Sequence, residues 1–386
     1  MDFALTPTTV DLGQAARKFA SETLASDVVD RDRRGGTDPT DWQDLWKAAA
    51  DYGLLGLATP KELGGSGYDF QTAVHVMQQI GYGCLDGGLT LGLNAQIWSM
   101  QMPILEFGTS AQKDRILPKL IDGSMICAHA ITEEKSGSDA MSLTTTAQKV
   151  DGGYLLNGTK SYIGMATACD LAMVFATSNP EHGVWGVSAF LVDAHSKGFV
   201  RGTQKQKMGT RTLPFGSIEL KDCLVPEEAL LGKTGSGNAI FNRSLEWERR
   251  FIFSSQTGAM QRQLDECVSY SKEREVFDAP INSFQSVSNR LADMKLRLET
   301  AQLMLWRAAW EADQGISNMA NAAATKLHLS EAYLASSVDA MRIFGGKGYL
   351  EESGAERATR DALGGITYGG TSDIQRQIIA SELIRQ

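Results

Sequence analysis

The spacing of apolar residues changes twice along this chain, and the two changes divide it into three regions. Residues 1 to about 120 carry apolar side chains three and four apart, as in LGQAARKFASETLASDV, DWQDLWKAAADYGLLGL and DFQTAVHVMQQIGYG. That spacing predicts amphipathic helices. Between about 121 and 235 the texture is one of short β-rich runs bounded by Gly, Asp, Asn and Pro. They are SMICAHAIT, SLTTTAQKV, YLLNGTKSYI, LAMVFAT, WGVSAFLV and SIELKDCLV, and they predict a compact sheet domain. From 236 to 386 helical periodicity returns in long stretches such as VSNRLADMKLRLETAQLMLWRAAWEAD. Helices, then strands, then helices point to a segregated α+β chain with domains at 1–120, 121–235 and 236–386. At 386 residues, two or three packed regions are expected on size alone.

Composition removes several function classes. A net charge of −9 disfavours nucleic acid as a main partner, because phosphate neutralisation needs clustered Lys and Arg. No run of eighteen apolar residues exists, so no membrane-spanning helix is expected. The N-terminal stretch MDFALTPTTVDLGQAARKFA lacks a basic head and apolar core, and a cytoplasmic location is expected. The five cysteines are scattered without a C-x-x-C pair, which argues against structural zinc and against a disulfide framework. His129 lies near Cys127, but two possible ligands do not make a metal site, and no metal is expected.

Four stretches invite a chemical reading. EEALLGKTGSGN contains half of a phosphate loop, but position 227 is Glu where the first glycine should stand, so a surface turn is expected. ITEEKSGSDAMS (131–142) ends a β run in hydroxyl and acidic residues and a Gly-Ser turn, able to offer amides and hydroxyls to a polar ring or a phosphate. FGGKGYL (344–350) closes a long helix in tandem glycines, which serve as a helix cap or permit close approach to a cofactor. YGGTSDIQRQ (368–377) is a helix start. Ser372 and Gln375 have capping-box spacing, and the free amides would face a ligand, yet no catalytic group is present.

SLEWERRFIFSSQTGAMQR (244–262) is the most telling stretch. On one continuous helix, Leu245, Glu248, Ile252, Ser255 and Ala259 fall along a single stripe. Glu246 then points away and pairs with Arg250 at i, i+4 as a surface ion pair. Glu248 is left on the apolar side, where burial raises a carboxylate's pKa as a general base requires. Two readings stay open from the helix alone: a base, or a structural Glu paired with Arg249.

In order along the chain, ITEEKSGSD, LNGTKSYI, EREVFDAPINSFQ, FGGKGY and YGGTSDIQR resemble the TEPGAGSD, NGxKxWIT, xRxxFGxPIxxxQ, GGxGY and YEGTSxIQR motifs of the acyl-CoA dehydrogenase superfamily. The resemblance implies an N-terminal helical domain, a middle β-barrel or sheet domain and a C-terminal four-helix bundle, with FAD held between the last two and a neighbouring subunit. Ile131, Thr132, Gly137 and Ser138 would line the flavin and ribityl region, with Ser138 also near the substrate. Tyr162 and Ile163 would cover the ring, and Gly164 would offer a backbone donor near N5 where relatives carry Thr or Ser. Arg274, Phe277 and Gln285 would reach the FAD of a partner subunit, together with Arg342, Gly345 and Gly346. Thr371 and Asp373 would meet the pyrophosphate side.

In many relatives the base is the Glu of YEGTS, and that position here is Gly369. A minority, including isovaleryl-CoA dehydrogenase, carry it on the helix that aligns with SLEWERR, at Glu248. The resemblance therefore implies α,β-dehydrogenation of an acyl thioester. Glu248 takes the α-proton, flavin N5 accepts the β-hydride, and the Gly369 amide with a ribityl hydroxyl holds the thioester oxygen. Arg249 and Tyr368 would border the substrate. Glu134-Lys135 replaces Pro-Gly in the first loop and Asp278 replaces a Gly. HAITE…GSDAMS and LEWER are similar to dehydrogenases of natural-product pathways, which act on acyl or aminoacyl groups such as prolyl on a carrier protein. The implied partners are a CoA or carrier-protein thioester, an electron-transfer flavoprotein or oxygen as acceptor, and further copies of the chain in a homotetramer or homodimer. Two alternatives keep the fold: a flavin-dependent monooxygenase, for which Glu248 is unnecessary, and a non-catalytic thioester binder, in which it is structural.

Overall fold

The structure, a computed structural model, describes residues 4–385. Seven helices come first: α1 (Pro7–Phe19), α2 (Val28–Arg34), α3 (Thr40–Asp51), α4 (Phe70–Gly83), α5 (Gly87–Asn94), α6 (Met102–Phe107) and α7 (Ser110–Ile121). Their starts follow local chemistry. Asp69 caps α4 by accepting from the Thr72 amide at 2.7 Å, and Thr109 with Gln112 forms a reciprocal capping box at α7. Between α5 and α6 the chain runs on through a π-helical segment, Ala95–Gln101. Such wide turns are rare and often mark functional positions.

Eight strands follow: β1 (Cys127–Ala130), β2 (Thr146–Val150), β3 (Gly153–Gly164), β4 (Leu171–Thr177), β5 (Val187–Asp193), β6 (Phe199–Arg201), β7 (Phe215–Pro226) and β8 (Leu230–Leu231). They form one sheet in the order β6-β7-β3-β2-β4-β5-β8, with β1 lying parallel to β4. All six runs singled out in the sequence contribute a strand. The short β6 and β8 were not anticipated: β8 is a two-residue strand paired to β5, and the GKTGSGN turn comes only after it.

The strand period of two explains how the sheet serves two cores. In β4, Ala172, Val174 and Ala176 belong to one apolar cluster, whereas Leu171, Met173 and Phe175 belong to a second. The second cluster also contains Leu117 and Leu120 of α7 and three residues that come after the sheet, Ile240, Phe241 and Leu245. Both faces being covered, β4 and β5 read as continuous apolar runs.

The last region comprises α8 (Gly237–Phe251), α9 (Ser254–Glu273), a small hairpin of β9 (Glu275–Val276) and β10 (Ala279–Pro280), then α10 (Gln285–Asp313), α11 (Met319–Phe344), α12 (Ala355–Gly364) and α13 (Ser372–Arg385). The central helix is α11, packed on α8, α9, α10, α12 and α13. The first and last regions meet where α4 crosses α9. A Cβ added at Gly81 would stand 1.7 Å from the Ser255 carbonyl oxygen, and one at Gly258 would stand 1.7 Å from that of Gln78. Only glycine allows backbones this close. Among the described residues no helix is long and apolar enough to cross a membrane.

Two local expectations are corrected. The stretch 244–262 is not one helix: α8 stops at Phe251 and α9 begins at Ser254, so the proposed stripe breaks after Ile252. The Ser254 hydroxyl donates to the Phe251 carbonyl at 2.7 Å, and that of Thr257 to Phe253 and Ser254. Hydroxyls that bond back to helix carbonyls compete with the ladder and bend it. At the last helix, Thr371 is the cap, accepting from the Ile374 amide at 3.2 Å. Gln375 turns its side chain back to donate to the Gly369 and Gly370 carbonyls instead of completing a box with Ser372.

Candidate active site

Helix α8 is held by aromatic packing on one side. Trp247 stacks on Phe70 with centroids 5.0 Å apart, and Phe251 lies 4.8 Å from the Trp98 ring. Fully burying side chains of this size is worth about 2–3 kcal/mol each, so the helix is fixed in rotation as well as position. Glu246 is not on the surface, as sequence spacing implied. It is buried, 2.6 Å from Arg250 and 2.8 Å from Arg243, and also accepts from the Ser317 hydroxyl and the Asn318 amide. Burial would push its pKa up, but these partners outweigh burial and hold it down. The reason for the difference is tertiary: the loop before α11 folds over this face of α8 and supplies two of the donors.

Glu248 has a different environment. Its Oε2 accepts from the Ser99 hydroxyl at 2.8 Å, and it forms no ion pair with Arg249. That guanidinium turns away, donating weakly to the Gly369 carbonyl at 3.4 Å and lying 3.0 Å from the Met319 sulfur. The Glu248 carboxylate stays partly accessible while protein surrounds it, and burial pushes its pKa up against the opposing pull of Ser99, Arg249 and Lys326.

Position 369 lies directly against this carboxylate. Gly369 has φ +64°, and a Cβ built on it would be 2.9 Å from Glu248 Oε1. Among the described residues its N–H has no acceptor in the protein. The loop is clamped by Lys326, whose buried ammonium donates to the Gly365 carbonyl at 2.8 Å and the Gly370 carbonyl at 2.9 Å. Burial draws that ammonium's pKa down to about 8. Tyr368 stacks on Phe253 at 5.6 Å, fixing the loop from its other side. Glu248, Arg249, Tyr368 and Gly369 are thus one cluster.

A second group sits at the sheet. The buried Lys160 ammonium donates to the Ile131 carbonyl at 3.1 Å and pairs with Glu133 at 2.8 Å. Thr132 accepts from the Ser161 amide at 2.8 Å, tying the 131–138 loop to β3. Burial would raise the Glu133 pKa, but Lys160 and hydrogen bonds from Thr144 and Thr145 hold it down at about 2. Burial also lowers Lys160 to about 8, yet a carboxylate at this distance keeps the pair ionised. Register shifts in β3 between Lys160 and Ile163 put Tyr162 at φ +60° and leave its ring 59% exposed, with Ile163 buried beside it. Gly164 ends the strand next to Leu213.

These residues suit a flavin. Ile131 and Ile163 are apolar and buried, Tyr162 is exposed, and among the described residues the Thr132 and Ser138 hydroxyls have no protein partner. A Cβ at Gly137, Gly345 or Gly346 would meet nothing within 4 Å, so these backbones are open to a ligand. At α13 the Asp373 carboxylate faces Arg376, 3.1 Å away, and the Thr371 hydroxyl is taken up by capping. What that helix start offers a phosphate is therefore backbone.

A third group is remote from Glu248. Arg274, Phe277, Gln285, Arg342, Gly345 and Gly346 are all exposed, around the β9–β10 hairpin and the end of α11. Phe277, at φ +49°, is 91% exposed. The structure does not bring this set to the same chain's Glu248 cluster.

Sequence reading missed Ser99 and Lys326. Each lies far along the chain from its partners, Ser99 on the π-helical segment facing α8 and Lys326 on α11 facing the loop at 365–370, and neither belongs to a motif. Buried polar residues in apolar helices are the only local signal, and a single sequence does not display burial. His129, read beside Cys127, instead turns to Ser244 on α8 with Nε2 3.0 Å from its hydroxyl.

Comparison with known proteins agrees with this geometry. Family models for the acyl-CoA dehydrogenase N-terminal, middle and C-terminal domains match residues 6–124, 128–223 and 235–384. An L-prolyl-[peptidyl-carrier protein] dehydrogenase of Pseudomonas fluorescens is 43% identical over 88% of this chain and 89% of its own. One from a Serratia species is 37% identical over 99% and 98%. Among solved structures, the prolyl acyl carrier protein oxidase AnaB superposes with TM-score 0.96 at 38% identity, covering 98% of this chain and all 100% of its own. The three domain matches, in order and on this fold, establish that the chain belongs to the acyl-CoA dehydrogenase family, FAD-dependent oxidoreductases of thioester-bound substrates.

Proposed function

We propose that this enzyme oxidises the Cα–Cβ bond of a prolyl group held as a thioester on a carrier protein, with Glu248 as the base. The observation that carries the mechanism is the contact between Glu248 and Gly369: a raised-pKa carboxylate beside an unpaired backbone N–H. A thioester α-proton is weakly acidic, so its removal needs a base and a donor for the developing enolate oxygen. In this reading Glu248 Oε1 takes that proton. The Gly369 N–H, on the loop that Lys326 clamps, receives the oxygen. When bound, FAD supplies the acceptor for the hydride leaving the β-carbon. Ile131, Thr132, Ser138, Tyr162, Ile163 and Gly164 would hold its ring and ribityl side, with Thr371 and Asp373 toward its phosphates.

The prolyl-carrier substrate is supported by the names of the two relatives and of AnaB, each of which this chain matches over most of both lengths. The exposed Arg274, Phe277, Gln285, Arg342, Gly345 and Gly346 support an oligomer in which they meet a neighbouring subunit's cofactor. The test is anaerobic bleaching of bound flavin by prolyl and simple acyl groups, each on CoA and on a carrier protein. Bleaching by prolyl-carrier protein, lost in Glu248→Gln, is expected. Bleaching by CoA thioesters alone would overturn the carrier assignment, and no bleaching by any thioester would overturn the dehydrogenation. Reoxidation by air, set against an electron-transfer flavoprotein, then identifies the acceptor.

A further inference from the structure

We propose that Ser99 is a positioning residue for Glu248, and that the π-helical segment Ala95–Gln101 serves to deliver its hydroxyl to that carboxylate. The inference rests on the reading of Glu248 as the base and adds how the base is held.

Ser99 is 2% exposed, and its hydroxyl donates to Glu248 Oε2 at 2.8 Å. The same residue is held a second time by α8. The Ser244 hydroxyl, one helical turn before Glu248, donates to the Ser99 carbonyl at 3.1 Å. Behind Ser244 stands His129, whose Nε2 is 3.0 Å away and whose pKa burial pulls down to about 4. With His129 neutral, the chain runs from its Nε2–H to the Ser244 oxygen and from the Ser244 hydroxyl to the Ser99 carbonyl. The Ser99 side chain then has Glu248 as its partner. Two grips one turn apart set Ser99 in register with the base.

The segment itself is anchored at both ends. The Gln96 amide donates to the Met125 carbonyl at 2.9 Å, and that of Gln101 donates to the Leu55 carbonyl at 2.8 Å. Gln96, Ser99 and Gln101 are buried polar groups, expensive unless each is bonded. Gln96 and Gln101 are bonded mainly to backbone, which holds the wide turn in place. Only Ser99 is bonded to an ionisable side chain, so the turn's rigidity is spent on one carboxylate.

Other groups face Glu248: Arg249 on its own helix, Lys326 on α11, and Tyr368 and the Gly369 backbone on the loop. The two cations attract the ionised form without hydrogen bonding to it, and they fix no direction. Ser99 does both. Its bond occupies Oε2, leaves Oε1 toward Gly369, and stabilises the carboxylate against burial.

The test titrates the Glu248 carboxyl in the holoenzyme by infrared difference spectroscopy, with Glu248→Gln to assign the band. In Ser99→Ala the midpoint should rise by about one pH unit, the size expected for losing a hydrogen bond to a charged group. The acid limb of anaerobic flavin reduction should move upward with it. Ser99→Thr, which keeps the hydroxyl, should titrate as wild type. If Ser99→Ala does not fold, Ser99→Cys, a weaker donor of similar size, should show the same direction of shift. An unchanged midpoint would overturn the proposal, whatever happened to the rate. The titration needs no substrate, so failure of every thioester to reduce wild-type flavin would remove the dehydrogenase reading separately.

Discussion

Glu248 and Gly369 are 121 positions apart in the chain and in contact in the fold: Oε1 of one lies 2.9 Å from where a Cβ of the other would stand. The two positions that the motif resemblance offers for a base therefore meet at one point. A side chain at 369 and a carboxylate at 248 compete for the same space. The glycine is the complement of the glutamate.

Gly369→Ala should accordingly be costly twice over. Its φ of +64° strains any side chain, and the new methyl presses on Glu248. A loss of about 1–2 kcal/mol in stability is expected from the backbone, together with a fall in flavin reduction of about 10²-fold from displacement of the base. Denaturant unfolding and anaerobic stopped-flow on the same preparation separate the two effects.

Glu248→Gln should abolish substrate reduction of flavin by about 10²–10⁴-fold, the usual contribution of general-base catalysis. It should also make the protein more stable at neutral and alkaline pH. The folded pKa of Glu248 is raised, so the folded chain holds a proton that the unfolded chain has released, and stability falls as pH rises through that window. Melting temperatures of wild type and variant should converge near pH 4 and separate above it. A variant less stable than wild type at pH 8 would contradict this.

Asp361 is another carboxylate whose pKa burial raises. Burial, with Asp32 and Asp86 nearby, pushes it up to about 7, despite the hydrogen bond it accepts from the Thr210 amide. Its folded value again lies above the unfolded one, so its contribution is fully present below about pH 4 and is lost as pH rises through 7. Asp361→Asn keeps an acceptor for Thr210 and should flatten the pH dependence of unfolding between those limits. An identical pH profile would count against a proton held there.

Lys160→Met should damage the cofactor loop more than the Glu248 cluster. It strands the Glu133 carboxylate, which is buried with Lys160 as its ion-pair partner at 2.8 Å. Removing one member of a buried pair costs about 3–5 kcal/mol. FAD retention on gel filtration should fall with the loss of stability. Glu133→Gln/Lys160→Met, which removes both charges, should recover part of each.

Lys326→Met should loosen the loop that carries Gly369. It leaves the Gly365 and Gly370 carbonyls without this donor, an expected cost of about 1–3 kcal/mol for each unmade bond. The rate of flavin reduction at saturating thioester should drop more than the affinity, because the N–H at 369 is needed most as the enolate forms. An affinity loss with the reduction rate intact would refute this placement.

Much of the architecture is legible in the sequence. The switch from helical to strand spacing and back marks the sheet region, and the apolar runs of β4 and β5 read as strands because covered faces remove the polar alternation. Glu248 could be singled out on its helix, since a carboxylate in apolar company is conspicuous in one dimension. Its neighbour Glu246 was misread by the same logic. Helical spacing tells which residues share a face, but not what covers the face, and the loop before α11 buried Glu246 with donors from far along the chain.

The division has a physical cause. Periodicity, caps and turn residues act over a few positions, so the sequence by itself determined where most helices and strands form and which face of each is apolar. Contacts between elements depend on how whole faces seat together. Only the tertiary structure decided that Ser99 reaches Glu248 from a π-turn, that Lys326 clamps the loop, and that an empty side-chain position at Gly369 opens onto a carboxylate 121 residues earlier.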